Sequence, residues 1–398
     1  MSRVRGFALR TAALLLCAGA HGAAAQPYVP ANDETVLATL SRPQGLGSAH
    51  VRELRDSLER NPGDAVTAAR LARVYADLNS SSGEPRYLGY ATAILAPWNE
   101  VGAPPAEIWL VRARVAQRLH RFEEAQGDLE ALLHQYPANP EAAFLLSTVG
   151  IVRGDYVAAR GACAHLAALQ QGALATICSA NLSPYVGRMD AGARALDALI
   201  DTGTLRGELA TWVLTLAAEL AVGRGAAADA DRYYRAALTE MRRQPAPDLY
   251  LLGSYADFLT DEGRGEAAVE LLAAAPATDA TLIRRAVAAS DETLRREATE
   301  LLRTRIAVLT RRNDEAHGRE LAWAHLHVFN DVPAALRHAE RNWRQQHEMR
   351  DARLLLEAAL AAQEFVAAEP VVAWLELHGI RHAWLDGLAD EWRRAAGR

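Results

Sequence analysis

The chain has 398 residues, a formal net charge of −6 at pH 7, and 50% hydrophobic but only 6% aromatic residues. The mild negative charge does not support binding of DNA or RNA, which would be expected to need a basic face. The composition favours a helical protein rich in Ala and Leu over a sheet protein. All 43 basic residues are Arg, which excludes a Walker-type phosphate loop, a Schiff-base lysine and a Ser–Lys dyad. Abundant Ala without any Lys indicates a GC-rich bacterial genome.

The N-terminus has the pattern of a secretory signal peptide. Three arginines precede an apolar run at residues 11–20, and three alanines at 23–25 supply the small residues of a cleavage site. The apolar run is shorter than the ~20 residues that a membrane-spanning helix needs. The sequence therefore predicts a signal peptide over residues 1–25, cleavage before Gln26, a periplasmic location and no stable membrane span after cleavage.

Two alternatives to cleavage before Gln26 would leave the N-terminus attached to a membrane. Cys17 would suggest a lipoprotein, but Leu16 stands where a lipoprotein signal needs a small residue. An uncleaved N-terminal membrane anchor is the second alternative. Removal of the signal peptide would leave two cysteines in a compartment that permits disulfides.

The first segments of the mature chain differ in regularity. Residues 26–47 contain several prolines, so we expect an extended leader. Residues 48–60 have the spacing of a short amphipathic helix, which we expect to cap the helical array after it. A helix pair begins near Ala65, and we expect the polar run at residues 79–85 to lengthen the turn between its helices.

Residues 106–171 contain two units in a constant 34-residue frame. Small residues recur at the eighth and twentieth positions of the frame, and a Pro closes the first unit. The residues that carry the frame are Trp109, Ala113, Ala125 and Pro137 in the first unit and Ala143, Ser147, Gly154, Ala159 and Cys163 in the second. This pattern resembles the tetratricopeptide (TPR) repeat.

The same frame continues through the rest of the chain. Further units begin at about residues 173, 211, 249, 316 and 349, and residues 278–312 match as a degenerate helix pair. Residues 384–394 have the pattern of a terminal helix. The resemblance implies an all-α, right-handed α-solenoid of about eight TPR-like hairpins over residues 48–398.

The resemblance also implies which side chains line the concave groove, because fixed positions of the first helix of each repeat face it. Three early groove residues are basic, several later ones are acidic, and two aromatic residues lie between them. We therefore expect a protein or peptide partner bound in one orientation, with each aromatic residue contributing ~1–3 kcal/mol. The predicted binding residues are Arg73, Arg114, Arg118, Trp212, Tyr250, Asp257 and Asp261.

The two cysteines beyond the signal peptide are candidates for a disulfide. Cys163 falls on the second helix of one repeat and Cys178 on the first helix of the next, level with each other across the connecting turn. This placement could bring their Cα atoms within ~6–7 Å. The alternative is a pair of buried free thiols, since Cys also packs as a small apolar residue.

Catalytic and metal-binding motifs are missing from the sequence. Gly-x-Ser-x-Gly, Gly-x-Gly-x-x-Gly and paired Cys-x-x-Cys do not occur, and His347-Glu348 lacks a second His at metalloprotease spacing. His325 and His327 point to different sides of a helix, so they cannot chelate one ion together. We expect no enzyme activity, no cofactor and no metal site.

The sequence supports three functions of different classes. The first is an exported, non-catalytic scaffold or adaptor that binds a protein or peptide partner, and no nucleic acid, in its groove. The second is an architectural subunit of a bacterial envelope assembly or of secretion and biogenesis machinery, held through its convex face and termini. The third is an enzyme site within residues 278–312.

Overall fold

The computed structural model describes residue 32, residues 47–311 and residues 317–397. The chain forms two units, Met1–Ser48 and Ala49–Arg398. The predicted signal peptide and nearly all of the predicted leader lie outside the described residues, and almost every described residue belongs to the second unit. No helix within residues 47–311 and 317–397 is long and apolar enough to cross a membrane.

The described part of this unit is built from α-helices, three short 3₁₀ segments and turns, without strands. The helices are α1 (Gly47–Arg60), α2 (Ala65–Ser82), α3 (Arg86–Leu95), α4 (Ala106–Arg118), α5 (Phe122–Gln135), α6 (Pro140–Arg153), α7 (Tyr156–Ala168), α8 (Gly172–Leu182), α9 (Met189–Asp201), α10 (Gly207–Gly223), α11 (Ala227–Met241), α12 (Leu249–Asp261), α13 (Gly265–Leu272), α14 (Asp279–Ala288), α15 (Glu292–Arg311), α16 (Gly318–His327), α17 (Val332–Trp343), α18 (Met349–Ala362), α19 (Glu369–His378) and α20 (Ala383–Ala395).

Consecutive helices pack as pairs, from α2 with α3 to α18 with α19, while α1 precedes the pairs and α20 comes after them. The small residues of the repeat frame lie where the two helices of a pair cross. Ala113 and Ala125 are fully buried in one pair, and Ala256 and Ala268 are fully buried in another. A larger side chain at these positions would push the helices apart. The predicted all-α array of helix hairpins is therefore confirmed.

Helix ends follow local chemistry. Asp64, Asn139 and Asp248 each accept hydrogen bonds from backbone amides of the first turn of the helix they precede. The expected long turn at residues 79–85 is wrong, because α2 continues to Ser82. The hydroxyl groups of its last serines donate to carbonyl oxygens one turn back, and the helix ends at Gly83 in the left-handed region.

Later pairs pack against the turns inside earlier pairs. His120, in the turn between α4 and α5, shares a 2.9 Å hydrogen bond with Gln346, 226 residues further along the chain. The amide of His347 donates to the carbonyl of Val152 at 2.8 Å. The turn before α9 lies against the end of α19, where a Cβ added at Gly187 would be 2.8 Å from the carbonyl oxygen of Gly379. The array thus doubles back on itself.

An aromatic cluster fills the space where the array doubles back, and we call it the interlayer core. It contains Tyr156, Tyr185, Trp343 and Trp374, each less than a tenth exposed. The indole of Trp374 donates to the hydroxyl of Tyr156 at 2.9 Å across 218 residues of sequence. Burial of such large side chains is the strongest stabilising contribution available to a protein of this composition.

Candidate functional site

A cavity of about 520 Å³ lies between α12, α14, α16, α18 and α20, and we call it the inner cavity. Its volume is in the range of binding sites for small ligands and peptide side chains. Its wall combines charged side chains with the rings of Tyr250, Trp323 and Trp384.

One side of the cavity is a stripe of polar residues on α12. Tyr250, Ser254, Asp257 and Asp261 are spaced by three or four residues, so they share one helix face. This α12 stripe includes three of the predicted groove residues: Tyr250, Asp257 and Asp261. Asp257 is 8% exposed, whereas Tyr250 is 54% exposed and keeps much of its ring accessible.

Helix α18 crosses this stripe and neutralises it. Arg350 pairs with Asp257 and also donates to the Ser254 hydroxyl at 2.9 Å. Arg353 donates two hydrogen bonds to Asp261, of 2.7 and 2.9 Å, and its Nε donates to Glu357 at 2.7 Å. Asp257 and Asp261 therefore face arginines of their own chain.

Two further arginine contacts connect the cavity wall to aromatic rings. Arg284 of α14 donates to Asp257 at 2.9 Å, and its guanidinium lies 4.6 Å from the ring centroid of Trp323. The guanidinium of Arg353 lies 4.8 Å from the ring centroid of Trp384. A cation over an indole ring is a favourable contact that fixes both groups.

Behind the stripe, Glu219 of α10 accepts hydrogen bonds of 2.8 Å from both Tyr250 and Ser254. Burial raises the pKa of the Glu219 carboxyl, and nearby Arg350 opposes that effect. The network holds the Tyr250 hydroxyl at the cavity rim. Part of the Tyr250 ring remains exposed.

A second network lies at the base of the cavity around Arg319 of α16. Arg319 donates to both oxygens of Asp351, at 2.6 and 2.8 Å, and also to Glu348. Asn342 adds a 2.7 Å hydrogen bond to Asp351. Burial raises the pKa of Asp351, while the positive charge of Arg319 opposes the rise. The charged groups of Arg319, Asp351 and Glu348 are thus paired with one another.

The basic groove residues lie elsewhere, in the early repeats. Arg73 and Arg114 share Glu141, and the Arg73 contact is 2.9 Å. Arg118 is partly buried and its Nε has no hydrogen-bond partner among the described residues. Burial lowers the pKa of Arg118, and the charge of Arg114 lowers it further. These arginines form a cluster of their own and do not line the inner cavity.

The remaining predicted aromatic residue also lies apart from the cavity. Trp212 is partly buried, and its ring meets Phe144 edge to face with centroids 5.3 Å apart. The structure therefore brings Tyr250, Asp257 and Asp261 together, and it places Trp212 against an earlier repeat.

Cys163 and Cys178 are joined in a disulfide, with their Cα atoms 5.5 Å apart. The bond links α7 to α8 and lies in a small apolar cluster with Ala143 and Leu166. No group of three or more His, Cys, Asp or Glu side chains within residues 47–311 and 317–397 could hold a metal ion.

Sequence reasoning missed several residues of the cavity wall. Arg284 lies on the degenerate pair, where the repeat frame gives no groove position, and Trp384 lies on the terminal helix. Trp323 occupies a position that the repeat pattern uses for packing. One signal was present in the sequence: α14 and α18 carry arginines that could pair with the acidic residues of α12.

Comparison with known proteins finds likeness only in solved structures. No protein-family profile matches the sequence, and no curated protein matches it. A tetratricopeptide repeat protein from Parabacteroides merdae is 17% identical, with 65% of this chain and 91% of that chain covered and a TM-score of 0.45. The Cut9–Hcn1 hetero-tetramer of the APC/C is 14% identical, with 78% and 52% covered and a TM-score of 0.43.

The P58(IPK) TPR domain is 13% identical, with 89% and 94% covered and a TM-score of 0.21. Two of these structures are described as containing tetratricopeptide repeats. All three identities are below 25% and all three TM-scores are below 0.5, so these likenesses identify neither a family nor a partner. The fold is TPR-like. Its own helix pairs show this, because they carry small buried residues at the spacing of the repeat frame.

Proposed function

We propose that this chain is an exported, non-catalytic scaffold that binds a protein or peptide partner at the inner cavity. The observation that carries the proposal is the half-exposed ring of Tyr250, held at the cavity rim by the bond of its hydroxyl to Glu219. A pre-positioned aromatic side chain beside a cavity is the usual anchor of a protein interface. A TPR-like array also suits the presentation of a rigid binding surface.

The location of this scaffold is part of the proposal. The N-terminal pattern supports export to the periplasm with cleavage before Gln26, and an uncleaved N-terminal anchor is the alternative. The disulfide between Cys163 and Cys178 agrees with an oxidising compartment. The net charge of −6 gives no support for nucleic acid as the partner.

A second candidate function is an architectural subunit of an envelope assembly that uses the outer face. It is favoured by aliphatic side chains that remain exposed next to the interlayer core. Val157, Val366 and Leu377 are 83%, 73% and 80% exposed. Val157 follows Tyr156 and Leu377 precedes His378, and the rings of Tyr156 and His378 are in contact.

The test compares partner recovery from a periplasmic extract by the wild type and by single variants. We expect Tyr250→Ala to weaken binding of the recovered partner by ~1–3 kcal/mol, with a fall in Tm no larger than the loss of its hydrogen bond to Glu219 explains. Tyr136→Ala is the matched control, because Tyr136 is 42% exposed and lies outside the cavity. Trp212→Ala is expected to lower Tm as well, because its ring packs on Phe144.

Unchanged affinity of Tyr250→Ala would contradict the cavity as the binding site. If a Val157→Asp variant then lost the partner, the face that carries Val157 would replace the cavity as the binding site. The architectural function would then replace the proposed scaffold function. Mass spectrometry of the purified native protein tests export separately. An intact Met1 on cytosolic protein would remove the periplasmic part of the proposal.

A further inference from the structure

The arginines of the cavity wall are all engaged by carboxylates of the described residues. Arg319 meets Asp351 and Glu348, and Arg353 meets Asp261 and Glu357. Arg305 pairs with Asp279, while Arg284 and Arg350 share Asp257, and Arg350 also lies 3.5 Å from Glu219. These arginines are therefore already occupied by carboxylates of their own chain.

One carboxylate of the wall has no direct partner in the part of the chain that the structure describes. Glu320 of α16 lines the cavity, is partly buried, and takes no hydrogen bond or ion pair from the described residues. The charge of Glu320 favours the protonated form of Arg319, but Arg319 donates its hydrogen bonds to Asp351 and Glu348. Burial lowers the pKa of His120, and Glu320 only partly opposes this. Burial of His120 favours its neutral form, so His120 does not cancel the charge of Glu320.

Aromatic surface lies beside this carboxylate. Trp323 follows Glu320 by three residues, so both side chains lie on one face of α16, and both line the cavity. The indole nitrogens of Trp323 and Trp384 donate no hydrogen bond to the described residues, and neither is among the buried unpaired atoms. The Arg284 guanidinium already lies over the Trp323 ring, so Trp323 offers an incoming side chain apolar surface beside the carboxylate. A carboxylate without a direct partner among the described residues is a suitable site for an ammonium or guanidinium group.

We infer that the inner cavity binds a basic side chain, Arg or Lys, of a partner segment, with Glu320 as its ion-pair partner and Trp323 as the adjacent aromatic wall. This inference rests on the proposed function and names the chemistry that its partner must carry. The chain contains no Lys, and the arginines of the cavity wall are already paired. Within residues 47–311 and 317–397, the chain therefore leaves this carboxylate available to an outside cation.

The experiment measures binding of two blocked peptides by calorimetry on the full chain. Acetyl-Gly-Arg-Gly-amide carries the guanidinium, and acetyl-Gly-citrulline-Gly-amide has nearly the same shape without the charge. We expect the arginine peptide to bind at least about tenfold more tightly than the citrulline peptide. Glu320→Gln should remove that difference, whereas Glu270→Gln, an exposed carboxylate on α13, should keep it.

Equal binding of the two peptides by the wild type would overturn the inference, and so would an unchanged preference in Glu320→Gln. Free arginine that binds as tightly as the blocked peptide would overturn the assignment to a partner segment and assign the site to a small organic cation. A Tm of Glu320→Gln equal to that of the wild type shows that the variant is folded. A natural partner that depends on Tyr250 but not on Glu320 would leave the proposed function standing while this inference fails.

Discussion

Arg353 and Asp261 are joined by two parallel hydrogen bonds, of 2.7 and 2.9 Å, although 92 residues separate them in the sequence. The pair connects α18 to the α12 stripe, which the repeat frame assigns to the predicted groove. This part of the predicted groove is therefore covered by the chain itself, and the inner cavity lies beside it.

Removing this ion pair should measurably destabilise the protein. Both side chains are about three-quarters buried, so their pairing is less screened than a surface ion pair. We expect Arg353→Ala to lower the free energy of unfolding by about 1–2 kcal/mol and the double-mutant cycle with Asp261→Asn to show coupling. Urea unfolding gives both numbers.

The control for this cycle is Arg303→Ala, which removes an exposed pair with Glu300 on one helix. Its effect should stay within about 0.5 kcal/mol. Additive effects of Arg353→Ala and Asp261→Asn would show that the two side chains are not coupled in solution.

The contact between the turn before α9 and the end of α19 can be tested with two glycines of similar backbone conformation. Gly187 and Gly203 have φ of 68° and 62°. A Cβ at Gly203 would meet nothing within 4 Å, whereas one at Gly187 would meet the carbonyl oxygen of Gly379 at 2.8 Å. We expect Gly203→Ala to cost about 1 kcal/mol and Gly187→Ala about 2 kcal/mol more, measured by urea unfolding. Equal losses of stability would mean that the contact is absent.

Reduction of the disulfide should lower stability without unfolding the protein. Cys163 and Cys178 are 15 residues apart, and a loop of that length corresponds to about 3 kcal/mol in the chain-entropy account. We expect Tm to fall on addition of a phosphine reductant. The Cys163→Ser, Cys178→Ser double variant should show the lower Tm with or without reductant. Full alkylation of Cys163 and Cys178 in unreduced wild type after denaturation would contradict the bond.

Stability should fall between neutral pH and pH 4, and His382 should contribute to this together with His338, since burial lowers the pKa of each to about 4. His382 is 5% exposed, and burial, with a smaller effect of Arg353 and Arg350, lowers its pKa to about 4. In the unfolded chain its pKa returns to about 6.5, so the unfolded state takes up a proton first as pH falls through that value. The effect of His382 on the free energy of unfolding is a decrease of about 3 kcal/mol near pH 4, and this decrease does not grow further below that pH.

His382→Asn should reduce this dependence, because Asn cannot titrate but can still cap α20, where His382 accepts from the Trp384 amide. His50→Asn, on an exposed side chain, is the control. The measured quantity is the urea midpoint of unfolding at about pH 7 and at about pH 4.5. Most of the expected decrease in stability falls between these two pH values. Identical pH slopes in wild type and His382→Asn would exclude His382 as a contributor.

The sequence was sufficient for the repeats but not for their arrangement. Small residues such as Ala113 and Ala125 are required locally, since they let two neighbouring helices cross, and so a 34-residue spacing predicts the hairpins. Contacts such as Tyr156 with Trp374 join residues 218 apart. They depend on the summed rotation of many repeats, which no local pattern encodes.

The candidate site shows the same division. The position of Asp257 on the concave side of α12 follows from the repeat frame. Its pairing with Arg350 and Arg284 does not, because that needs two later helices to return to α12. Asp257 and Asp261 lie together on α12 beside the inner cavity, and arginines of later helices pair with both of them.

The packing of the C-terminal repeats against earlier repeats also affects how the protein unfolds under force or on heating. In an open repeat array each unit touches only its neighbours, so units fray from the ends and melt stepwise. Here the C-terminal helices are bound to the middle through Arg350 and Arg353, and to earlier turns through Gln346 and Trp374. These contacts hold the C-terminal helices in place, and we expect residues 65–395 to unfold in one cooperative transition. When force is applied to the two ends, the force–extension curve should accordingly show one large unfolding event instead of a series of small ones.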